Sequence, residues 1–99
     1  MRISEQQAQI IHQIVQEATG GQATVRLFGS RLDDAARGGD LDLLVELPTA
    51  VDHPAALTAR LSARISRFMD GRSVDILLLA PNLRRLPIHD VALREGTKL

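Results

Sequence analysis

The chain contains no cysteine, tryptophan or tyrosine and only two phenylalanines. Without cysteine there can be no disulfide, thiol nucleophile or thiolate zinc site. With so few aromatic side chains, there is little on which the bases of a single strand could stack. An excess of one charge is also missing, because twelve Lys and Arg balance twelve Asp and Glu. Nucleic-acid binders usually carry a basic face, so direct nucleic-acid binding by this chain is not expected. Long apolar runs are absent as well. The longest, Ile76 to Ala80, is far too short to cross a bilayer. The opening Met1-Arg2-Ile3-Ser4-Glu5-Gln6-Gln7 lacks the apolar stretch of a signal peptide. These absences lead to the expectation of a cytoplasmic protein without a membrane role.

What is present suits one globular domain spanning residues 1–99, with 44% hydrophobic and 24% charged residues, an ordinary balance for such a domain. A chain this short buries roughly 60–65% of the surface its unfolded form exposes, which favours one core and leaves little for a deep, enclosed pocket. Ser4 followed by Gln7 has the form of a capping box. Ile11, Ile14, Val15 and Ala18 then recur at helical spacing until Gly20-Gly21, which predicts a helix over 5–18. A short strand is expected over 24–28, with Val25 and Leu27 on one face, broken by Gly29-Ser30. Residues 31–39 are polar and have room for about a turn of helix and a loop.

Alternation marks a second strand over 41–46, with Leu41, Leu43 and Val45 on one face and Asp40, Asp42, Leu44 and Glu46 on the other. Leu57, Leu61, Ile65 and Phe68 mark a helix over about 54–69, closed by Gly71. The third strand, 73–79, puts Val74, Ile76 and Leu78 on one face and Asp75, Leu77 and Leu79 on the other. Residues 83–94 are read as including a last short helix that ends near Gly96. This order predicts an α/β fold: a small mixed sheet of about three strands with helices packed mainly on one face.

Aspartate is disfavoured in strands, so an Asp-Leu-Asp opening one needs a reason. Two carboxylates on one strand face repel each other, and a divalent cation removes that repulsion. Mg²⁺ in particular takes one or two carboxylates plus phosphate oxygens. The alternative is a solvated edge whose charges resist aggregation. Topology bears on the choice. A helix between the second and third strands is the usual crossover of a parallel pair, which would bring Asp40, Asp42 and Asp75 to one end of the sheet. An antiparallel first strand would deliver Gly29-Ser30 to that same end. There the glycine would let a phosphate approach the backbone and Ser30 would add a hydroxyl donor. By itself, Gly29-Ser30 reads equally as an ordinary turn.

The stretch Leu27-Phe28-Gly29-Ser30-Arg31, followed by Gly38-Gly39-Asp40-Leu41-Asp42-Leu43-Leu44-Val45, resembles the signature of the DNA polymerase β-like nucleotidyltransferases. It is most similar to their minimal nucleotidyltransferase group, in which a Gly-Ser pair precedes an Asp-x-Asp by around ten residues. Val74-Asp75-Ile76-Leu77 resembles that group's third-carboxylate strand, and the likeness spans about residues 5–97. It implies the polymerase β-like fold and transfer of a nucleoside monophosphate, with ATP as donor, to an acceptor hydroxyl. It also implies that Asp40, Asp42 and Asp75 hold two Mg²⁺ ions and form the catalytic set, with Asp75 as general base. Gly29 and Ser30 would hold the terminal phosphates.

Where many members carry a second basic residue and a glycine soon after the Gly-Ser-Arg, this chain has Leu32-Asp33-Asp34. Arg31 and Arg37 are therefore the candidates for offsetting the outer phosphate charge, or else are solvated surface residues. His12, His53 and His89 lack metal-site spacing and are read as surface residues. A Ser30-His89-Asp90 hydrolase is set aside because no nucleophile-elbow pattern surrounds Ser30.

The resemblance further implies a helical HEPN-type partner protein, the chain acting as an antitoxin that adds AMP to its toxin. An alternative is a nucleotide-binding subunit without turnover of its own. A separate argument also points to a partner. The strand face with Asp42 and Asp75 carries Leu44, Leu77 and Leu79, and only the short, arginine-bearing 83–94 segment remains to cover them. The expectation is a patch left open for a homodimer or a helical partner.

Overall fold

Ser4 starts the first helix: its hydroxyl accepts the Gln7 backbone N–H at 3.0 Å, and the Gln7 side chain accepts the Ser4 N–H at 2.8 Å. This reciprocal box satisfies donors that a helix start would otherwise leave unpaired. The computed structural model describes residues 3–29 and 41–99. Its elements run α1 (Glu5–Thr19), β1 (Thr24–Phe28), β2 (Leu41–Glu46), α2 (Pro54–Phe68), β3 (Val74–Leu79), α3 (Pro87–Glu95) and β4 (Thr97–Lys98). The expected helix or loop over 31–39 lies outside the described residues.

Gly20, at φ +86°, closes α1 in the left-handed conformation, its N–H donating to Gln16 O at 3.0 Å. The Gln16 side-chain amide then grips the backbone of Ala23, donating to its carbonyl at 2.6 Å and accepting its N–H at 3.1 Å. A side chain thus serves as hydrogen-bonding neighbour just before β1 begins. At the other end of the chain Pro87 sets the start of α3, where its missing N–H costs nothing. The helix therefore runs over Pro87–Glu95 and is capped by Gly96, in the segment expected to include a short helix ending near Gly96.

The sheet order is β3-β2-β1-β4. The β2 and β3 strands are parallel, joined by α2 as the crossover rule requires, and β1 is antiparallel to both β2 and β4. The sheet is mixed and small, as expected, but it has four strands among the described residues rather than three. The fourth pairs Thr97 and Lys98 with Leu27 and Arg26. Two residues are too few to show alternation, so nothing in the sequence marks it as a strand.

Alternation sorts the strands into two cores. On one face Ile11 and Val15 of α1, with Leu61 and Ile65 of α2, pack over Val25, Leu27, Leu41, Leu43, Val45 and Leu78. On the other face α3 lays Ala92 over Phe28, Leu44 and Leu79, with Leu77 and Leu93 at the margin. The expectation of an open leucine patch is therefore corrected: Leu44 is 0% and Leu79 7% exposed. A nine-residue helix suffices because its central contact is the small Ala92 and its end is Gly96. A Cβ built on Gly96 would stand 3.2 Å from Arg26 Cβ and 3.3 Å from Leu27 O, so α3 ends almost on the backbone of β1. Among the described residues no helix is long and apolar enough to cross a membrane.

Candidate functional site

The register of the sheet fixes the site. In the parallel pair Asp42 stands opposite Asp75, and in the antiparallel pair Phe28 stands opposite Asp42. Neighbouring strands lie about 4.7–4.9 Å apart, so the two carboxylates leave adjacent strands on the same face. Like charges directly opposite each other destabilise a sheet. Asp42 is half-buried and Asp75 exposed.

Gly29 follows Phe28 and turns the chain away at φ +74°, a conformation that L side chains rarely adopt. A second constraint is steric: a Cβ built there would lie 2.4 Å from Asp42 Oδ2 and 3.2 Å from its Cγ. Backbone and carboxylate occupy this corner together only because residue 29 has no side chain.

These residues line a cleft of about 490 Å³, with Phe28, Gly29, Asp42, Asp75, Ile76 and Leu77 from the sheet side and Ile88, Val91 and Glu95 from α3. The cleft is open and has an apolar wall beside the carboxylates. A separate cleft of about 400 Å³ between α1 and the C-terminal strand, lined by Glu5, His12 and Lys98 among others, has no such carboxylate pair.

The sequence-predicted set is thus partly assembled. Gly29, Asp42 and Asp75 meet at one end of the sheet, as the parallel and antiparallel pairings require. Ser30, Arg31, Arg37 and Asp40 lie outside the described residues. Among the described residues no group of three or more His, Cys, Asp or Glu is placed to hold a metal ion; the pair Asp42 and Asp75 is what the two strands supply. Paired carboxylate oxygens on a rigid sheet are hard ligands of the kind Mg²⁺ takes, and their same-face repulsion is what a cation would relieve. The residues therefore fit such an ion.

The cleft also contains residues that the sequence reading missed. Ile88, Val91 and Glu95 follow the three- and four-residue steps of one helix face, a signal present in the sequence but uninterpretable until the packing of α3 is known. The reading of His89 as a surface residue is corrected, since it is 3% exposed. Its Nδ1 accepts the Leu86 backbone N–H at 2.9 Å, so Nε2 carries the proton and donates to Leu78 O at 2.8 Å. Both ring nitrogens are engaged: Nδ1 closes the start of α3 at its N-cap residue Leu86, and Nε2 docks the helix onto β3. Asp90 is paired with Arg85, whose Nε donates to Oδ1 at 2.9 Å. His89 and Asp90 therefore serve α3 and leave no general base for the hydrolase alternative. His53 is exposed ahead of α2, and His12, half-buried, lies 3.0 Å from Gln16 Nε2. No protein-family model and no curated protein matches this sequence.

Proposed function

We propose that the chain is a metal-dependent nucleotidyltransferase that moves AMP from ATP to an acceptor hydroxyl. The observation that carries this reading is the corner where Asp42 faces Asp75 across a parallel pair and Gly29 has no room for a side chain. Such a corner suits a polyphosphate brought close to the backbone by cations. Asp40, Asp42 and Asp75 would hold two Mg²⁺ ions, which supply charge neutralisation for the phosphates and activation of the attacking oxygen.

The protein's own residues account for the rest. Gly29 lets the terminal phosphates approach the main chain, and Ser30 offers them a hydroxyl donor. Arg31 and Arg37 are the candidates for offsetting their outer charge. The acceptor oxygen bonds to the α-phosphorus as the bond to the β-bridging oxygen breaks, and pyrophosphate departs. Asp75 takes the acceptor proton as general base; its exposed position at the start of β3 leaves it open to an incoming group.

The acceptor is supplied by a partner, a helical HEPN-type protein or a second copy of the chain, in the manner of an antitoxin acting on its toxin. Ile88, which lines the cleft, and Leu86 just ahead of α3 are 44% and 43% exposed and suit such a contact better than the buried Leu44 and Leu79. This chemistry goes with a cytoplasmic protein. Calorimetric titration with ATP, first in Mg²⁺ and then in EDTA, tests the reading. Removing the metal should weaken binding by more than about tenfold, roughly 1.4 kcal/mol; equal affinity in both would refute it.

A further inference from the structure

We infer that Glu95, with the apolar wall formed by Ile88 and Val91, receives the nucleoside end of the substrate and selects for a ribose by accepting from its hydroxyls. This inference rests on the transferase reading and goes beyond it, since neither the aspartates nor Gly29 distinguishes one nucleoside from another.

Position is the first argument. Ile88, Val91 and Glu95 form one face of α3 and line the same cleft as Asp42 and Asp75. The neighbouring face of the helix, with His89 and Ala92, is buried against the sheet. The wall is anchored at both ends. His89 ties the first turn to Leu78 O. At the last turn the Gly96 N–H donates to Ala92 O at 2.8 Å, and Thr97 immediately pairs with Leu27. Glu95 is thus held between a docked helix and a docked strand, the kind of rigid support that precise recognition needs.

Cost is the second argument. Glu95 is the last residue of α3, where the helix dipole disfavours negative charge. It also adds a carboxylate to a cleft that already has two. Its ion pair with Arg94 spans 3.4 Å between side chains that are both more than half exposed, a contact of small value. The carboxylate at this place therefore does little for the fold.

Chemistry is the third. An ionised carboxylate only accepts hydrogen bonds, and its two oxygens match the paired hydroxyls of a ribose, a use that acidic side chains have in dinucleotide sites. The adjacent Ile88 and Val91 offer an apolar surface for the base or sugar ring. A cleft with polyphosphate chemistry at the aspartates and an apolar wall ending in a hydroxyl acceptor has the layout of a nucleotide.

The test compares ATP, dATP and inorganic tripolyphosphate, each with Mg²⁺, in calorimetric titrations of the wild-type chain and Glu95→Gln. The wild type should favour ATP over dATP by about tenfold, the lower range for a hydrogen bond to a charged group. Glu95→Gln should bring that ratio below about threefold while tripolyphosphate affinity is retained. Its melting temperature should equal or slightly exceed the wild-type value, because a charge opposing the helix dipole is removed. An unchanged ratio overturns the inference, and so does an equal loss for all three ligands, which would make Glu95 a metal or folding residue. If the wild type shows no Mg²⁺-dependent binding of tripolyphosphate or ATP, the transferase reading falls and this inference falls with it. If it binds both but does not distinguish ATP from dATP, only the ribose assignment fails.

Discussion

Replacing Gly29 by alanine separates two effects that the structure predicts should act together. The first is backbone strain. At φ +74° an alanine costs about 1–2 kcal/mol, and the stiffer unfolded chain offsets about 0.4–1 kcal/mol of that, leaving roughly 1 kcal/mol. The second is collision. The new Cβ would stand 2.4 Å from Asp42 Oδ2, so the carboxylate must rotate away at a further cost of about 0.5–1.5 kcal/mol for a poor rotamer.

Gly20 provides the control, with φ +86° and nothing within 4 Å of its built Cβ. Gly20→Ala should therefore lower the melting temperature by about 4–8 °C, and Gly29→Ala by about 8–16 °C. In an Asp42→Ala background the excess should vanish, since the oxygen and Cγ that collide are gone. Other contacts of Asp42 cancel in such a cycle. A functional effect should accompany the loss of stability, because the displaced carboxylate is the one facing Asp75. Mg²⁺-dependent ATP affinity should fall by more than about tenfold, roughly 1.4 kcal/mol, in Gly29→Ala and stay near wild type in Gly20→Ala. Thermal melting and calorimetric titration read both quantities. Equal melting shifts in the two variants, or unchanged ATP affinity in Gly29→Ala, would refute the reasoning.

Two further predictions concern α3. Leu44→Ala should destabilise the chain by about 2–5 kcal/mol, because Leu44 is fully buried between the sheet and Ala92; a loss under about 1 kcal/mol in urea unfolding would mean that α3 does not cover it. His89→Ala should cost about 1–3 kcal/mol by leaving the Leu86 N–H and Leu78 carbonyl without their partner. Hydrogen exchange should then accelerate in residues 87–95 ahead of the sheet, and uniform acceleration would contradict the anchoring role.

Most of the sheet was legible because its signals are local. Alternation gave the faces of β2 and β3, and the helix between them implied a parallel pair, which is enough to bring Asp42 beside Asp75. The Gly29 corner needed only an antiparallel β1. The second face was misread, and α3 shows why. Two of its conspicuous apolar residues, Ile88 and Val91, line the cleft, with Ile88 44% exposed, while the side chains buried against the sheet are Ala92 and a histidine, with Leu93 at the margin. Judging the 83–94 segment by its shortness and its arginines, two of which, Arg84 and Arg85, precede α3, gives such a helix no weight. It also overlooks that a small side chain lets the helix backbone come close enough to bury Leu44 and Leu79. His89 is buried because both its nitrogens find main-chain partners, the local Leu86 N–H and the Leu78 carbonyl, and the second is in reach only after α3 has docked.

The placement of the cleft has a consequence for what can bind there. In open α/β sheets ligands usually sit beyond the carboxyl ends of parallel strands, where helix N-termini can attract anions. Here Asp42 and Asp75 lie at the starting ends of β2 and β3. The α3 helix lines the cleft from Ile88 in its first turn to Glu95 in its last, and its C-terminal end brings the Glu95 carboxylate and a partial negative charge. Among the described residues no Lys or Arg lines the cleft. Every fixed charge described at this corner is therefore of the sign that repels phosphate. The described residues by themselves offer a polyanion no attraction without cations, whereas they attract a cation directly. For the proposed reaction, metal entry would then assist substrate binding as well as chemistry, because the charges described at this corner oppose the naked triphosphate, with Arg31 and Arg37 the candidates for offsetting the outer phosphates.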